Sequence, residues 1–251
     1  MHARIDGQLF AVAVQGEQLT KAKLLTSRGR LAILGEHVDA FDFADMHALI
    51  PHIRKLFVSH TRCYNWEHLS RAVRLREVSA YVTTGVFINL TAHPELIEVA
   101  LPASAQLQGF APNLKSALIN GQKGAQVVES LSAGAHLRDL RCINFFPTGS
   151  FSSSLAILDV SMTRYEGEVI DAPGLREINL ANVSNVRSLD FLVRADVQRL
   201  TIENCEDFDV ARAQAVSSLP EVLAVGSYAG RRATDSRRSR LSKGAMCSSF
   251  E

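Results

Sequence analysis

The chain has 251 residues, 47% of them hydrophobic, and its 27 Lys and Arg nearly balance its 26 Asp and Glu. That length suits one elongated domain with a sizeable core, and the near-neutral charge argues against a general nucleic-acid binder. The apolar fraction is ordinary for a chain that folds in water, and no apolar run is long enough to span a bilayer.

Residues 1–30 come before any repeating pattern. Residues 9–14 form an apolar run of six with neither a basic flank nor a cleavage site, so no signal peptide is expected. Residues 8–15 alternate loosely, as a strand does. Residues 18–27 carry Lys21 and Lys23 among short apolar stretches. We read residues 1–30 as an N-terminal cap for the array that follows.

From there L-x-x-L-x-L recurs, opening at Leu31, Ile53, Leu75, Leu96, Leu114, Leu137, Leu155, Leu175, Val197 and Leu219. The gaps are 22, 22, 21, 18, 23, 18, 20, 22 and 22 residues, and eight of the ten openers are Leu. The fourth place holds Leu34, Leu56, Val78, Val99, Ala117, Leu140, Leu158, Ile178, Leu200 and Val222. The sixth holds Glu36, Val58, Ala80, Leu101, Ile119, Cys142, Val160, Leu180, Ile202 and Ala224, of which only Glu36 is polar. Places four and six have period two, so they share one face of a strand. One such strand cannot bury that face alone, whereas stacked turns bury it together.

The pattern resembles the leucine-rich-repeat family over roughly residues 31–226. The resemblance implies an α/β fold: a solenoid with a curved parallel sheet on its concave face and mixed helix and turn returns on its convex face. We place the cap at 1–30, a solenoid of about ten repeats at 31–228 and a basic tail at 229–251. The family's ninth place usually carries Asn or Cys; Cys205 fits, Thr61, Thr83, Ser104 and Thr163 offer hydroxyls, and Gln122, Phe145 and Val183 depart. Among the returns, 43–50, 65–73, 125–132 and 209–217 read as short helices, while 150–154 and 165–174 read as too short or irregular. The two 18-residue gaps leave room for little more than a turn. In the tail, Arg231, Arg232, Arg237, Arg238, Arg240 and Lys243 stand among small polar residues, a composition expected to be disordered.

Places three, five and seven should point away from the core. They give an acidic lane, Glu77, Glu98, Asp139, Asp159, Glu177, Glu203 and Glu221, which bases at place two (Arg54, Arg76, Lys115, Arg138, Arg176) are positioned to compensate. They also give apolar or aromatic residues: Phe57, Tyr81, Leu118, Ile143 and Ile157. Two alternatives stand beside an interface: a solvated face of self-paired charge, and a one-residue register slip that turns these side chains inward. The candidate partner-binding set on the concave face is Phe57, Glu77, Tyr81, Glu98, Asp139, Arg141, Asp159, Glu177, Arg199 and Glu203.

Nothing in the chain assembles a catalytic constellation. His47 and His52 are five apart with Pro51 between them, whereas a zinc-binding helix needs a spacing of four and a Glu. His60 and His68 have no carboxylate pair nearby, Ser152–Ser154 has no Gly-x-Ser-x-Gly elbow, and Gly121-Gln-Lys-Gly124 is too short for a phosphate loop. Cys63, Cys142, Cys205 and Cys247 form no C-x-x-C, which fits small buried residues in a reducing compartment. The sequons at Asn89 and Asn182 read as incidental. The expectation is a non-catalytic scaffold, without metal or cofactor, that binds a partner protein, possibly basic, on its concave face as adaptor, inhibitor or effector. No membrane contact is expected and nucleic acid is disfavoured. Two alternatives remain: a substrate-recruiting component of a larger enzyme such as a ligase or toxin, and a weak nucleic-acid contact through the basic tail. The expected location is cytoplasmic, or that of a delivered effector without a classical signal peptide.

Overall fold

The computed structural model describes residues 1–81, 85–132, 136–205 and 207–209, and the backbone of 221–225. Thr83, residues 210–217 of the expected last helix, the side chain of Glu221 and the tail at 229–251 lie outside the described residues.

The period-two apolar segments become strands. A twelve-stranded sheet runs β1 (His2–Ile5), β2 (Gln8–Val12), β3 (Arg30–Leu34), β5 (Lys55–Ser59), β7 (Glu77–Tyr81), β9 (Glu98–Pro102), β11 (Ser116–Asn120), β12 (Asp139–Ile143), β14 (Ile157–Arg164), β16 (Glu177–Ser184), β18 (Arg199–Glu203) and β19 (Glu221–Val225). Its order is chain order, and only β1 is antiparallel, to β2. The returns carry β4 (Ala40–Asp42), β6 (Arg62–Tyr64), β8 (Phe87–Asn89), β10 (Gln106–Gln108), β13 (Gly149–Ser150), β15 (Ile170–Asp171) and β17 (Leu192–Val193). These pair in parallel as β4–β6, β8–β10 and β13–β15–β17. The fold is therefore α/β with one large, mostly parallel open sheet and few helices. No helix among the described residues is long and apolar enough to cross a membrane.

Cross-strand register keeps like places together. Leu56, Val78 and Val99 stand in one row, as do Ala117, Leu140, Leu158, Ile178 and Leu200. These rows and the openers from Ile53 to Val197 are buried in one continuous cluster, which the returns close with Phe43, Trp66, Ile88, Phe146 and Phe191. Burying each Val, Leu, Ile or Phe among them contributes about 1.5–3 kcal/mol before the entropy of ordering it.

The first turn departs from the expected register. Leu31 pairs with Leu56 and Ile33 with Val58, so they occupy places four and six rather than one and three. Ile33, expected on the open face, is buried, and Glu36, expected inward, is exposed. The cause is burial on both faces of β3. Leu31 and Ile33 join the main core, while Ala32 packs in a second cluster with Phe10 and Val12, against which Phe57 leans. Apolar residues at both parities leave the L-x-x-L count without a unique frame.

Residues 1–30 are more than a lid. Beyond α1 (Lys21–Thr26), capped by the Thr20 hydroxyl, they supply two strands of the sheet itself. Asp6 and Gly7, at φ 48° and 73°, make the two-residue turn joining β1 to β2. Both central residues have positive φ, as a primed hairpin turn requires. The returns at 43–50 and 65–73 are 3-10 turns at Phe43–Met46, Ile50–His52 and Trp66–Arg71 rather than α-helices. They are short, and Pro51 has no N–H to continue a helix. The helix expected at 125–132 forms as α2 (Ala125–Ser132).

Left-handed backbone recurs at place eight, not nine. His60, Gly121, Asn144 and Asn204 take it just after their strands, and Met162 and Asn182 take it within β14 and β16. Asn tolerates this conformation best among residues with a side chain. Asn144 donates to Asn120 Oδ1 at 2.8 Å and Asn204 to Asn182 Oδ1 at 3.2 Å. At place nine the Thr61 hydroxyl does donate to a turn carbonyl, that of Val38, whereas Phe145 and Val183 add to the core.

Candidate functional site

The face opposite the core is assembled by parallel register. One row reads Lys55, Glu77, Glu98, Ser116, Asp139, Ile157, Glu177 and Arg199; the next reads Phe57, Ser79, Ala100, Leu118, Arg141, Asp159, Asn179 and Thr201. Neighbours in a row sit about 4.8 Å apart, one strand spacing. Phe57, Leu118, Ile143 and Ile157 are half-buried and Tyr81 is exposed, so none has turned into the core.

The acidic lane divides. Glu77 pairs with Lys55, Asp159 with Arg141 at 3.1 Å, and Glu177 with Arg199 at 2.8 Å. Asn179 also donates to Asp159 and, at 3.3 Å, to Glu177. The compensation thus comes from the face itself. Of the place-two bases, Arg76 binds Glu95 and Arg176 binds Asp196, and Arg54, Lys115 and Arg138 make no ion pair among the described residues. Glu98 and Asp139 make no ion pair among the described residues. Asp139 Oδ1 is shielded from solvent and accepts no hydrogen bond there.

These two acids converge on a groove of about 480 Å³. Ala100 and Leu118 belong to its floor row, Phe57 and Tyr81 give it aromatic surface, and Arg141 marks its far side. The β1–β2 hairpin closes the near side with Ile5, Asp6 and Phe10. The rings form a chain, Phe10 to Phe57 at 6.4 Å and Phe57 to Tyr81 at 5.7 Å between centroids. Lys55 Nζ lies 5.9 Å from the Phe10 centroid and is neutralised by Glu77. Burial, with the Asp6 and Glu98 carboxylates adding to it, pushes the Tyr81 phenol up, so it stays a neutral donor at physiological pH. The groove therefore joins aromatic surface to three acids, Asp6, Glu98 and Asp139, that lack an ion-pair partner among the described residues.

Of the residues expected at the site, Phe57, Tyr81, Glu98, Asp139 and Arg141 line one groove. Glu77 and Asp159 border it through ion pairs with Lys55 and Arg141. Glu177, Arg199 and Glu203 lie further along the sheet and do not line it. Ile5, Asp6 and Phe10 also line it and are absent from the sequence-based set, although Asp6-Gly7 is a strong hairpin signal.

No three His, Cys, Asp or Glu among the described residues are grouped to hold a metal. His47 is exposed, and Pro51 separates it from His52. Burial pushes the Cys63 thiol up to about 12 and raises those of Cys142 and Cys205, which suppresses the thiolate a nucleophile needs. No family model matches the chain, and neither curated proteins nor solved structures give a match.

Proposed function

We propose that the chain is a leucine-rich-repeat solenoid acting as a non-catalytic recognition scaffold, which binds a basic segment of a partner protein on the open face of its sheet. The observation that carries this reading is the groove between β1 and β12. It pairs exposed aromatic surface with acids that the fold leaves uncompensated. Aromatics rimmed by charge anchor protein interfaces, and complementary charge steers and selects the partner. A donor reaching Asp139 Oδ1 would satisfy an acceptor that is costly to leave bare.

The test is binding of a fluorescent basic-peptide library, or of a partner found by pull-down and mass spectrometry, to wild type and to Glu98→Lys with Asp139→Lys. Losing one buried or half-buried charge contact costs about 2–5 kcal/mol, so the double variant should bind at least about 30-fold more weakly at unchanged Tm. Tyr81→Ala should weaken binding without altering its salt dependence. Undiminished binding by the double variant would remove the groove from the account.

A further inference from the structure

The segments that lead into successive strands are charged unevenly. The six residues preceding each of β3, β5, β7, β9, β11 and β12 carry Arg28, Arg54, Arg71, Arg74, Arg76, Lys115 and Arg138 against one acid, Glu95. All seven cations are exposed, and among the described residues only Arg76 has an ion-pair partner, Glu95. The corresponding segments before β14, β16 and β18 hold only Asp171, Arg176, Arg194 and Asp196. There the charges cancel across turns, Arg194 with Asp171 and Arg176 with Asp196.

Backbone hydrogen bonds stack these segments into a rim. Arg76 N–H donates to the Arg54 carbonyl at 2.8 Å, Ile97 to Arg76 at 2.9 Å, Lys115 to Ile97 at 2.9 Å and Arg138 to Lys115 at 2.8 Å. Gly29 continues the row. At φ +78°, a Cβ there would lie 2.6 Å from the His52 carbonyl and 3.1 Å from Arg54 Cγ. From β3 to β12 the rim spans five strand spacings, about 24 Å. Like charges at this spacing repel one another, a cost that a polyanion removes.

Apolar side chains are interspersed with the cations. Leu25 is 56% exposed, Val73 52%, Ile97 37% and Phe110 55%, and each lies in a segment entering one of these strands. Val73 sits between Arg71 and Arg74, and Ile97 sits in the stacked row between Arg76 and Lys115. A site for a nucleic-acid backbone has no use for such side chains. A protein interface gathers its anchors in a central patch, whereas these are spread singly along an edge. Cations with protruding apolar tips match the headgroup and acyl boundary of an anionic bilayer.

Against the sequence-based expectation of no membrane contact, we propose that this rim is a peripheral docking surface for a phospholipid membrane carrying anionic headgroups. The cations attract the surface, and Leu25, Val73, Ile97 and Phe110 enter the headgroup layer. The groove acids Glu98 and Asp139 directly follow Ile97 and Arg138 in the chain but belong to the open face of the sheet, not to the rim. This assignment does not depend on the groove having a partner.

The test is co-sedimentation of the full chain with phosphatidylcholine vesicles, with and without roughly 30% phosphatidylserine, at about 0.1 M and about 0.5 M salt. The protein should pellet only with the anionic vesicles, and about tenfold less at the higher salt. Arg54→Glu with Lys115→Glu and Arg138→Glu should lower that partition at least about tenfold, and the Gln versions should lower it less. Leu25→Ser with Phe110→Ser should reduce it severalfold at unchanged charge. Glu98→Lys with Asp139→Lys should leave it intact or strengthen it while weakening the groove's peptide binding, which separates this proposal from the groove's. Unchanged partition of the rim reversals would overturn the proposal and assign vesicle binding to the basic residues after 230. A Ser variant that binds like wild type, with a labelled oligonucleotide or polyglutamate displacing the vesicles, would overturn it in favour of a soluble polyanion.

Discussion

His93 shows how one side chain can be readable by type and unreadable by role. It is fully buried, its Nδ1–H donates to the Ala72 carbonyl at 3.1 Å, and Nε2 has no hydrogen-bond partner among the described residues. Protonating Nε2 would bury a charge with nothing to accept its hydrogen. Burial accordingly lowers its pKa, and the Ala72 carbonyl opposes this only in part. The folded pKa lies below the unfolded value of about 6.5, so the unfolded chain takes up the proton first as pH falls. Stability should hold above about pH 6.5 and decline below it, towards the folded pKa. Urea unfolding from about pH 7.5 to 5 should show that decline in wild type. His93→Gln should flatten it while losing about 1–2 kcal/mol at the upper end. Glu98 and Asp139 make the same point. Each was visible as an outward residue, but whether it is compensated depends on its neighbour one strand away. Glu77 meets Lys55, whereas Glu98 stands between Glu77 and Ser116.

At the scale of elements, the strands were legible wherever one face is dry and the other wet, because alternation then has a single frame. β3 is dry on both sides, and its frame was lost there. The turns are legible in kind but not in place: the family pattern puts Asn or Cys at place nine, whereas the left-handed backbone sits at place eight. The short returns were read as helices because their apolar spacing suits either a 3-10 or an α turn. β1 was missed although its turn residues announce it. Gly7→Ala would force a Cβ into φ +73°, a strain of about 1–2 kcal/mol. We expect hydrogen exchange to quicken across β1 and β2 and to remain unchanged in β14, β16 and β18. Basic-peptide affinity at the groove should fall with it, because Ile5, Asp6 and Phe10 lose their footing while the Asp6 carboxyl itself remains.

For the whole molecule, the repeat spacing foretold a parallel sheet laid down in chain order. It could not foretell how charge is distributed over that sheet. A net charge of +1 conceals an uncompensated basic rim and uncompensated groove acids in the N-terminal half, beside a C-terminal half whose rim charges cancel. Composition averages over this because partition between surfaces is a property of register. Local unfolding should follow the same division, and salt should stabilise the N-terminal half more than the C-terminal half. Site-resolved hydrogen exchange in low and high salt would read that difference, and a uniform response would contradict it.

The strict chain order of the strands also has a mechanical consequence. Every strand of the large sheet is hydrogen-bonded only to the strands beside it in that order, and among the described residues no sheet hydrogen bond ties the first strands to the last. A force pulling the two termini apart therefore never loads all the turns in parallel; it peels them one at a time from an end. Optical-tweezer traces should show a staircase of small, similar releases, each of roughly 70 Å of contour for a turn of about 20 residues, rather than one large rupture. On relaxation, any turns still folded should serve as the template on which the released chain winds back.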